Sequence, residues 1–254
     1  MGIDVGWPLG IALVLLVALG TLVARFGRLP VTGSIPWAAV RAGLQLLAVS
    51  FIVGFAVRSP LPAFAFVLLM FTIGVVTTAR RTGITGLTGH LAVATAMASG
   101  AVPVLAIIFL SGAAPLVGPT IVPIGGIIVG NMMTVHTLLG RRAFAELESL
   151  HGEYEALLSL GATRGAAINA VVSPTLHEAL IPALDQTRTV GLVTLPGAYI
   201  GVLLGGGSPW EAAAAQVLVL VGINAAQACA AVTARWLMSR GWLLPRGLGV
   251  TLQP

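Results

Sequence analysis

The chain has 254 residues, of which 57% are hydrophobic and 8% charged, and its mean hydropathy is +1.01. A soluble domain carries about 25% charged residues, so this composition excludes a soluble globule and indicates a membrane protein. All 13 basic residues are arginine, which excludes a Walker-type phosphate loop and Schiff-base chemistry, since both need lysine. Cys229 is the only cysteine, which excludes a disulfide within the chain and a multi-cysteine metal site.

Seven apolar runs predict helices that cross a bilayer, for which about 20 residues each are needed. The predicted fold class is therefore all-α, a polytopic integral membrane protein with a single membrane domain over residues 1–254. The sixth run is short, and Pro196 interrupts it. The predicted spans are residues 7–24, 35–57, 61–79, 87–110, 119–139, 190–204 and 211–238.

The arginines predict the orientation of the chain, because cytoplasmic loops carry an excess of basic residues. Arginines follow the first, third and fifth predicted spans and lie in the C-terminal segment, whereas Arg58 lies alone on the opposite side. We therefore expect the N-terminus outside and the C-terminus in the cytoplasm. Residues 140–189 then form a cytoplasmic segment with six of the eight acidic residues, namely Glu146, Glu148, Glu153, Glu155, Glu178 and Asp185.

Within this segment, residues 153–164 carry the strongest signal. Leucines, Tyr154 and Gly161 recur at helical spacing from residue 147 onward, which predicts an amphipathic helix. Glycine costs a helix about 1 kcal/mol against alanine, so Gly161 indicates a close backbone approach or a sharp turn. Such a helix either docks on a partner protein or lies on the lipid surface.

The spacing of this stretch resembles a motif of bacterial ABC-transporter permeases. Their cytoplasmic loop reads Glu-Ala-Ala, three residues, Gly, nine residues, and then Ile-x-Leu-Pro. Here Glu155-Ala156 precedes Gly161 at that distance, and Pro174 ends the motif, while residues 157, 171 and 173 depart from it. In that superfamily the loop folds as a short coupling helix, which docks into a groove of a separate ATP-binding subunit.

Further motifs are similar to those of one branch, the iron-export ABC permease family of the Fet type, whose plant relatives act in aluminium tolerance. The resemblance covers about residues 36–231. The chain departs from the family at residues 132–134, which read Met-Met-Thr instead of Ala-Met-Asn, and at residues 198–201, which read Ala-Tyr-Ile-Gly instead of Met-Met-Thr-Gly. The matching motifs are Arg41 with Gln45, PIGGIIVGN at 123–131, LGAT at 160–163 and TVGLVTLPG at 189–197.

The resemblance implies a non-catalytic permease subunit that exports iron or another metal ion. It implies a permease homodimer in the bacterial inner membrane, with ATP and Mg on a separate ABC ATP-binding subunit and no cofactor in this chain. The arginines lie between apolar runs, so we expect no nucleic-acid binding, and no spacing predicts a stable metal site. The residues assigned to the ATPase contact are Glu153, Glu155, Ala156, Gly161, Ala162, Thr163 and Arg164.

Polar side chains in the predicted spans are candidates for a translocation path, because polar groups are costly in lipid. Each also has a structural interpretation. The guanidinium of Arg41 can reach the membrane surface, and the amide side chains can form hydrogen bonds to neighbouring helices. The break at Pro196 can be a kink that allows close helix packing. Offsets of eight and eleven residues from Gln216 place Asn224 and Gln227 on its helix face. The candidates are Arg41, Gln45, Asn131, Met133, Thr134, Thr194, Tyr199, Gln216, Asn224 and Gln227.

Two other functions are compatible with a polytopic membrane chain. A secondary transporter or channel that is not coupled to ATP usually carries ionisable groups inside its spans. Here we predict no Asp or Glu deep in a span, which disfavours proton coupling. An intramembrane serine protease needs a Gly-x-Ser-Gly motif and a partner histidine, and the sequence before Ser99 lacks the first glycine.

Overall fold

The computed structural model of the chain describes residues 6–252, which form α-helices joined by turns and a short break. This confirms the all-α membrane fold class. The chain divides into two compact units, Met1–Ala56 and Val57–Pro254. The first contains α1 (Trp7–Phe26) and α2 (Ser34–Ala56); the second contains α3 (Pro60–Thr82), α4 (Gly86–Leu110), α5 (Gly118–Ser149), α6 (His151–Ser159), α7 (Arg164–Leu176), a 3-10 turn (His177–Ala179), α8 (Ile181–Thr189), α9 (Gly197–Leu204), α10 (Pro209–Ser239) and α11 (Arg246–Thr251).

The first unit is a pair of apolar helices that bury little of their own surface. α1 and α2 pack together where Gly20 leaves room for the side chain of Ile35. Large apolar side chains elsewhere on the pair are exposed, including Leu16, Phe51 and Phe55. A helix that is apolar on all sides needs an apolar environment, so these helices are suited to lipid.

The second unit is built on four long helices, α3, α4, α5 and α10. Gly125 of α5 leaves room for Val67 of α3, and further along both helices Gly140 leaves room for Thr82. From the first contact to the second, the residue number increases in both helices, so α3 and α5 run in the same direction. α4 connects them and runs in the opposite direction.

Small residues let the backbones of these helices approach closely. Gly100 of α4 faces the main-chain carbonyl of Ala226 in α10, and a Cβ at residue 100 would overlap that oxygen. The same Cβ would also lie 2.9 Å from Sδ of Met132 in α5. The three helices therefore meet at a point where only glycine fits, and Met132 is fully buried there.

Among the described residues, six helices are long and apolar enough to cross a membrane, namely α1 to α5 and α10. They confirm the first five predicted spans and the seventh. The predicted sixth span, residues 190–204, is not one continuous helix: α8 ends at Thr189, Gly191 has φ of +80°, and α9 begins directly after Pro196. A left-handed glycine and a proline interrupt the helical backbone here, so the chain forms two short helices around the break at residues 190–196.

The helix ends rich in arginine lie together at one end of the second unit, which we call the arginine-rich end. There Nε of Arg141 donates to the carbonyl of Arg81 at 3.4 Å, and the guanidinium of Arg164 lies beside Gly241. α6, α7 and the C-terminal segment, residues 241–252, cover this end. Their packing buries Leu243 and other apolar residues of the segment.

Candidate functional site

The stretch at residues 153–164 is two helices around the sharp turn that Gly161 indicated, so the predicted amphipathic helix does not extend to residue 164. α6 ends at Ser159, and α7 begins at Arg164. Gly161 between them has φ of +89°, a conformation that glycine adopts without the strain of a side chain, so the helix stops there. Thr163 caps α7, because its hydroxyl accepts a hydrogen bond from the Ala166 amide at 3.3 Å.

An open groove of about 390 Å³ lies between α6 and α7. Its walls are mainly apolar, and Leu160 at the turn is 85% exposed. Glu153 lines the groove, while Glu155 is exposed beside it and contacts Nε2 of His151 at 3.2 Å. The groove can therefore accept an apolar side chain from another protein and attract a basic one. The lining residues are Glu153, Ala156, Leu157, Leu160, Ala170 and Val171.

The C-terminal segment holds this pair of helices from beneath. The hydroxyl of Tyr154, on the buried side of α6, donates to the carbonyl of Leu252 at 2.7 Å. Nη2 of Arg164, the first residue of α7, donates to the carbonyl of Gly249 at 3.4 Å. Arg164 is thus turned into the protein, away from the groove, and Tyr154 is a positioning residue that the sequence did not reveal.

The remaining residues predicted for the ATPase contact lie partly in the groove and partly in the turn between α6 and α7. Ala156 lines the groove, whereas Gly161 and Thr163 form the turn and are exposed. Ala162 is half-buried in the same turn, and its amide donates to the carbonyl of Leu157 at 3.0 Å. Of the predicted set, only Glu153 and Ala156 line the groove itself.

The polar residues of α10 lie on its inward side and bind the two halves of the broken segment. Oε1 of Gln216 accepts from the backbone amide of Tyr199 at 3.3 Å, which satisfies an amide at the start of α9. Nδ2 of Asn224 donates to the hydroxyl of Thr187 in α8 at 2.7 Å. Gln227 is buried, and its Oε1 has no hydrogen-bond partner among the described residues.

In α5 the candidate polar side chains bond to their own helix. Nδ2 of Asn131 donates to the carbonyl of Ile127 at 2.9 Å, and the hydroxyl of Thr134 donates to the carbonyl of Gly130 at 3.0 Å. Thr134 is exposed and Asn131 half-buried, so both remain available to a partner outside the second unit. Half-buried Met133 lies beside Gly74 of α3, on a different side of α5 from Met132.

Three further path candidates are exposed. Arg41 and Gln45 are exposed on α2 in the first unit. Thr194 lies in the break between α8 and α9, where its carbonyl accepts from the amide of Gly191 at 2.9 Å. Within residues 6–252 no three His, Cys, Asp or Glu side chains are grouped so that they could hold a metal ion.

Residues 181–189, which the sequence assigned to the cytoplasmic segment, form α8. The hydrogen bond from Asn224 attaches α8 to the middle of α10, one of the membrane-crossing helices. An ion pair on α8, Asp185 with Arg188, thereby lies beside the middle of that helix. Hydropathy does not predict this position, because charged residues count against a membrane position in any hydropathy window.

The described helices define an α-helical membrane protein that crosses the bilayer several times. Residues 7–243 match the family described as Uncharacterised protein family (UPF0014), and the chain belongs to that family. This agrees with the resemblance drawn from the motifs, since relatives of both the iron-export and the plant type are found.

The chain is 30% identical to the UPF0014 membrane protein STAR2 of Oryza sativa subsp. japonica over 235 residues, 92% of this chain and 82% of STAR2. It is 28% identical to the Probable iron export permease protein FetB of Escherichia coli over 210 residues, 81% and 80% of the two chains. It is 27% identical to Protein ALUMINUM SENSITIVE 3 of Arabidopsis thaliana over 228 residues, 89% and 83% of the two chains. No solved structure matches the chain.

Proposed function

We propose that the chain is the membrane subunit of an ABC transporter that exports iron or another metal ion. Two copies pair with two ATP-binding subunits, which bind ATP and Mg and carry out hydrolysis. The observation that carries this proposal is the exposed groove between α6 and α7, with its apolar walls and acidic rim. The metal cargo is supported by one relative, which is named a probable iron export permease.

The arginine-rich end is proposed to face the cytoplasm of a bacterial inner membrane. The groove then opens toward the compartment that holds ATP. The positive-inside rule supports this orientation, because the arginines in the last turn of α3, in the C-terminal third of α5 and directly after α10 lie at the same end as the groove.

Movement at the groove has a direct structural route into the membrane. α7 continues through the 3-10 turn into α8, which ends at the break at residues 190–196. Nη1 of Arg142 in α5 pairs with Oε2 of Glu178 in the 3-10 turn at 2.7 Å. Closure of the ATP-binding subunits would push on the α6–α7 turn, move α8 and alter the break, which alternates access to the path.

The test is co-expression of the chain with a candidate ABC ATP-binding subunit, followed by purification and ATPase measurement in liposomes. Leu160→Asp places a charge at the groove on a side chain that is already exposed, so the chain folds but the complex dissociates. Leu116→Asp, between α4 and α5 at the other end of the bundle, is the matched control and keeps the complex. An intact complex with Leu160→Asp contradicts the proposed docking site.

One observation favours the alternative, a secondary transporter that works without ATP. Asp185 lies beside the middle of α10, where sequence analysis predicted no acidic residue. Its pairing with Arg188 weakens that interpretation, since a proton-coupling carboxylate must be free to titrate. Metal flux through liposomes that contain the purified chain alone would establish the alternative and end the ABC proposal.

A further inference from the structure

The depth of α8 in the membrane follows from one hydrogen bond. Asn224 donates to Thr187 of α8 at 2.7 Å. On α10, Asn224 is thirteen residues from Glu211 and eleven from Arg235, the nearest charged residues on either side. These separations are about 20 and 16 Å along the helix axis, and the hydrocarbon core is about 30 Å thick. Thr187 therefore lies close to the middle of the bilayer.

One face of α8 is exposed at this depth. Six of the nine residues of α8 are exposed, and among them Ile181, Leu184, Asp185 and Arg188 recur at the i, i+3, i+4 and i+7 spacing of a single helix side. We call these four residues the charged face of α8. Nη1 of Arg188 lies 3.2 Å from Oδ1 of Asp185, and the two side chains are 72% and 57% exposed.

Lipid is an unsuitable neighbour for this face, because ionised side chains at the middle of a membrane face protein or a water-filled cavity. The flanking Ile181 and Leu184 are apolar, which fits a protein surface better than water. The opposite side of α8 is already occupied, since Ala183 is buried and Thr187 bonds α10.

A second copy of the same chain is the partner whose charges match. A two-fold axis along the membrane normal places identical faces side by side. Asp185 and Arg188 differ by about 4.5 Å in height on the helix. Each carboxylate can therefore reach the guanidinium of the other copy, and the reciprocal pair forms at the same time.

We propose that the charged face of α8 is the contact between two copies of this chain at the middle of the bilayer, with Asp185 of each copy paired to Arg188 of the other. This rests on the proposed function in one respect, since that function requires two membrane subunits. It goes further by assigning the surface and the residues. The break at residues 190–196, which contains the path candidate Thr194, then directly follows the contact helix in both copies.

Cysteine cross-linking in membranes tests the contact, because Cys229 is the only native cysteine and can be replaced by serine. In that background Ile181→Cys and Leu184→Cys place thiols on the charged face. A disulfide needs Cα atoms within about 7 Å, so oxidation yields a covalent dimer only if two faces meet. The matched control is Val221→Cys, which is 58% exposed on α10 and three residues from Asn224.

We expect dimer yields on the order of tenfold higher for at least one charged-face variant than for Val221→Cys. In the better cross-linking background, Asp185→Arg places four arginines together and should abolish the dimer. The exchange Asp185→Arg with Arg188→Asp restores the pairs and the dimer, which excludes simple misfolding. Yields at the level of the control, or an exchange that fails to restore the dimer, would overturn the proposal.

The outcome is separable from the test of the proposed function. If the charged face does not cross-link while Leu160→Asp still releases the ATP-binding subunit, the α8 contact is wrong and the ABC proposal stands. If the faces cross-link and no ATP-binding subunit associates, the dimer contact stands alone.

Discussion

Replacing Tyr154 with phenylalanine removes one hydroxyl from the underside of α6. That hydroxyl donates to the carbonyl of Leu252 at 2.7 Å, and both residues are fully buried. A hydrogen bond of this kind contributes about 1–1.5 kcal/mol net. Since every 1.4 kcal/mol is a factor of ten, the C-terminal segment should open about 5 to 12 times more often.

Trypsin cleavage after Arg246 measures this opening. Arg246 is exposed but is the first residue of α11, so the protease needs α11 to unfold locally before it cuts. When opening is fast relative to cleavage, the rate follows the open population. Mass spectrometry of the released peptide, residues 247–254, gives the rate directly.

Tyr199→Phe is the matched control, because Tyr199 is the other tyrosine of the chain and bonds Gln216 through its backbone amide. Its variant should be cut after Arg246 at the unaltered rate. Cleavage of Tyr154→Phe at the wild-type rate would show that the hydroxyl does not hold the segment and that Tyr154 is not a positioning residue.

Three further changes test the packing of the second unit. Gly100→Val should lower the free energy of unfolding by about 1–3 kcal/mol, because the new side chain meets the Ala226 carbonyl and Met132. Thermal unfolding in detergent measures this loss against the control Gly130→Ala, where a Cβ meets nothing within 4 Å. Equal melting temperatures of the two variants would contradict the prediction. Gln216→Leu removes the acceptor for the Tyr199 amide. A loss of about 1 kcal/mol of local stability should speed hydrogen exchange of the Tyr199 amide about fivefold. Unchanged exchange of that amide would show that the contact does not stabilise α9. Thr187→Val keeps the side-chain shape but removes the oxygen that accepts the hydrogen bond from Asn224. A loss of about 0.6 kcal/mol of local stability should raise amide hydrogen exchange in α8 by a factor of about 3. The control Thr175→Val in α7 should leave exchange in α8 unchanged.

The features that the sequence predicted well are those that depend on local composition. Long apolar runs predict α1 to α5 and α10 because a bilayer requires about 20 apolar residues wherever the chain crosses it. Pro196 predicted an interruption because a proline lacks the amide that continues a helix, and α9 begins directly after it. Both inferences need no knowledge of neighbouring helices.

The features that it missed depend on partners far away in the chain. The position of α8 depends on a bond between Thr187 and Asn224, which are 37 residues apart. The role of Tyr154 depends on Leu252, 98 residues away. Asn131 has a local partner instead, because its side-chain amide donates to the carbonyl of Ile127 in its own helix. Residue spacing alone does not distinguish a bond within the helix from a bond to a neighbouring helix.

The contacts at the arginine-rich end also determine which part of the second unit can transmit movement. The C-terminal segment holds α6 and the start of α7 through Tyr154 and Arg164, and α7 is anchored in the core by fully buried Ile168. A push at the groove would therefore move α6 and α7 as one body rather than separate them. The next elements along the chain, the 3-10 turn and α8, are short and lead to a break that no continuous helix spans. Such a break deforms at lower cost than a packed helix, so the displacement would concentrate at residues 190–196, beside the path candidates Thr194 and Tyr199.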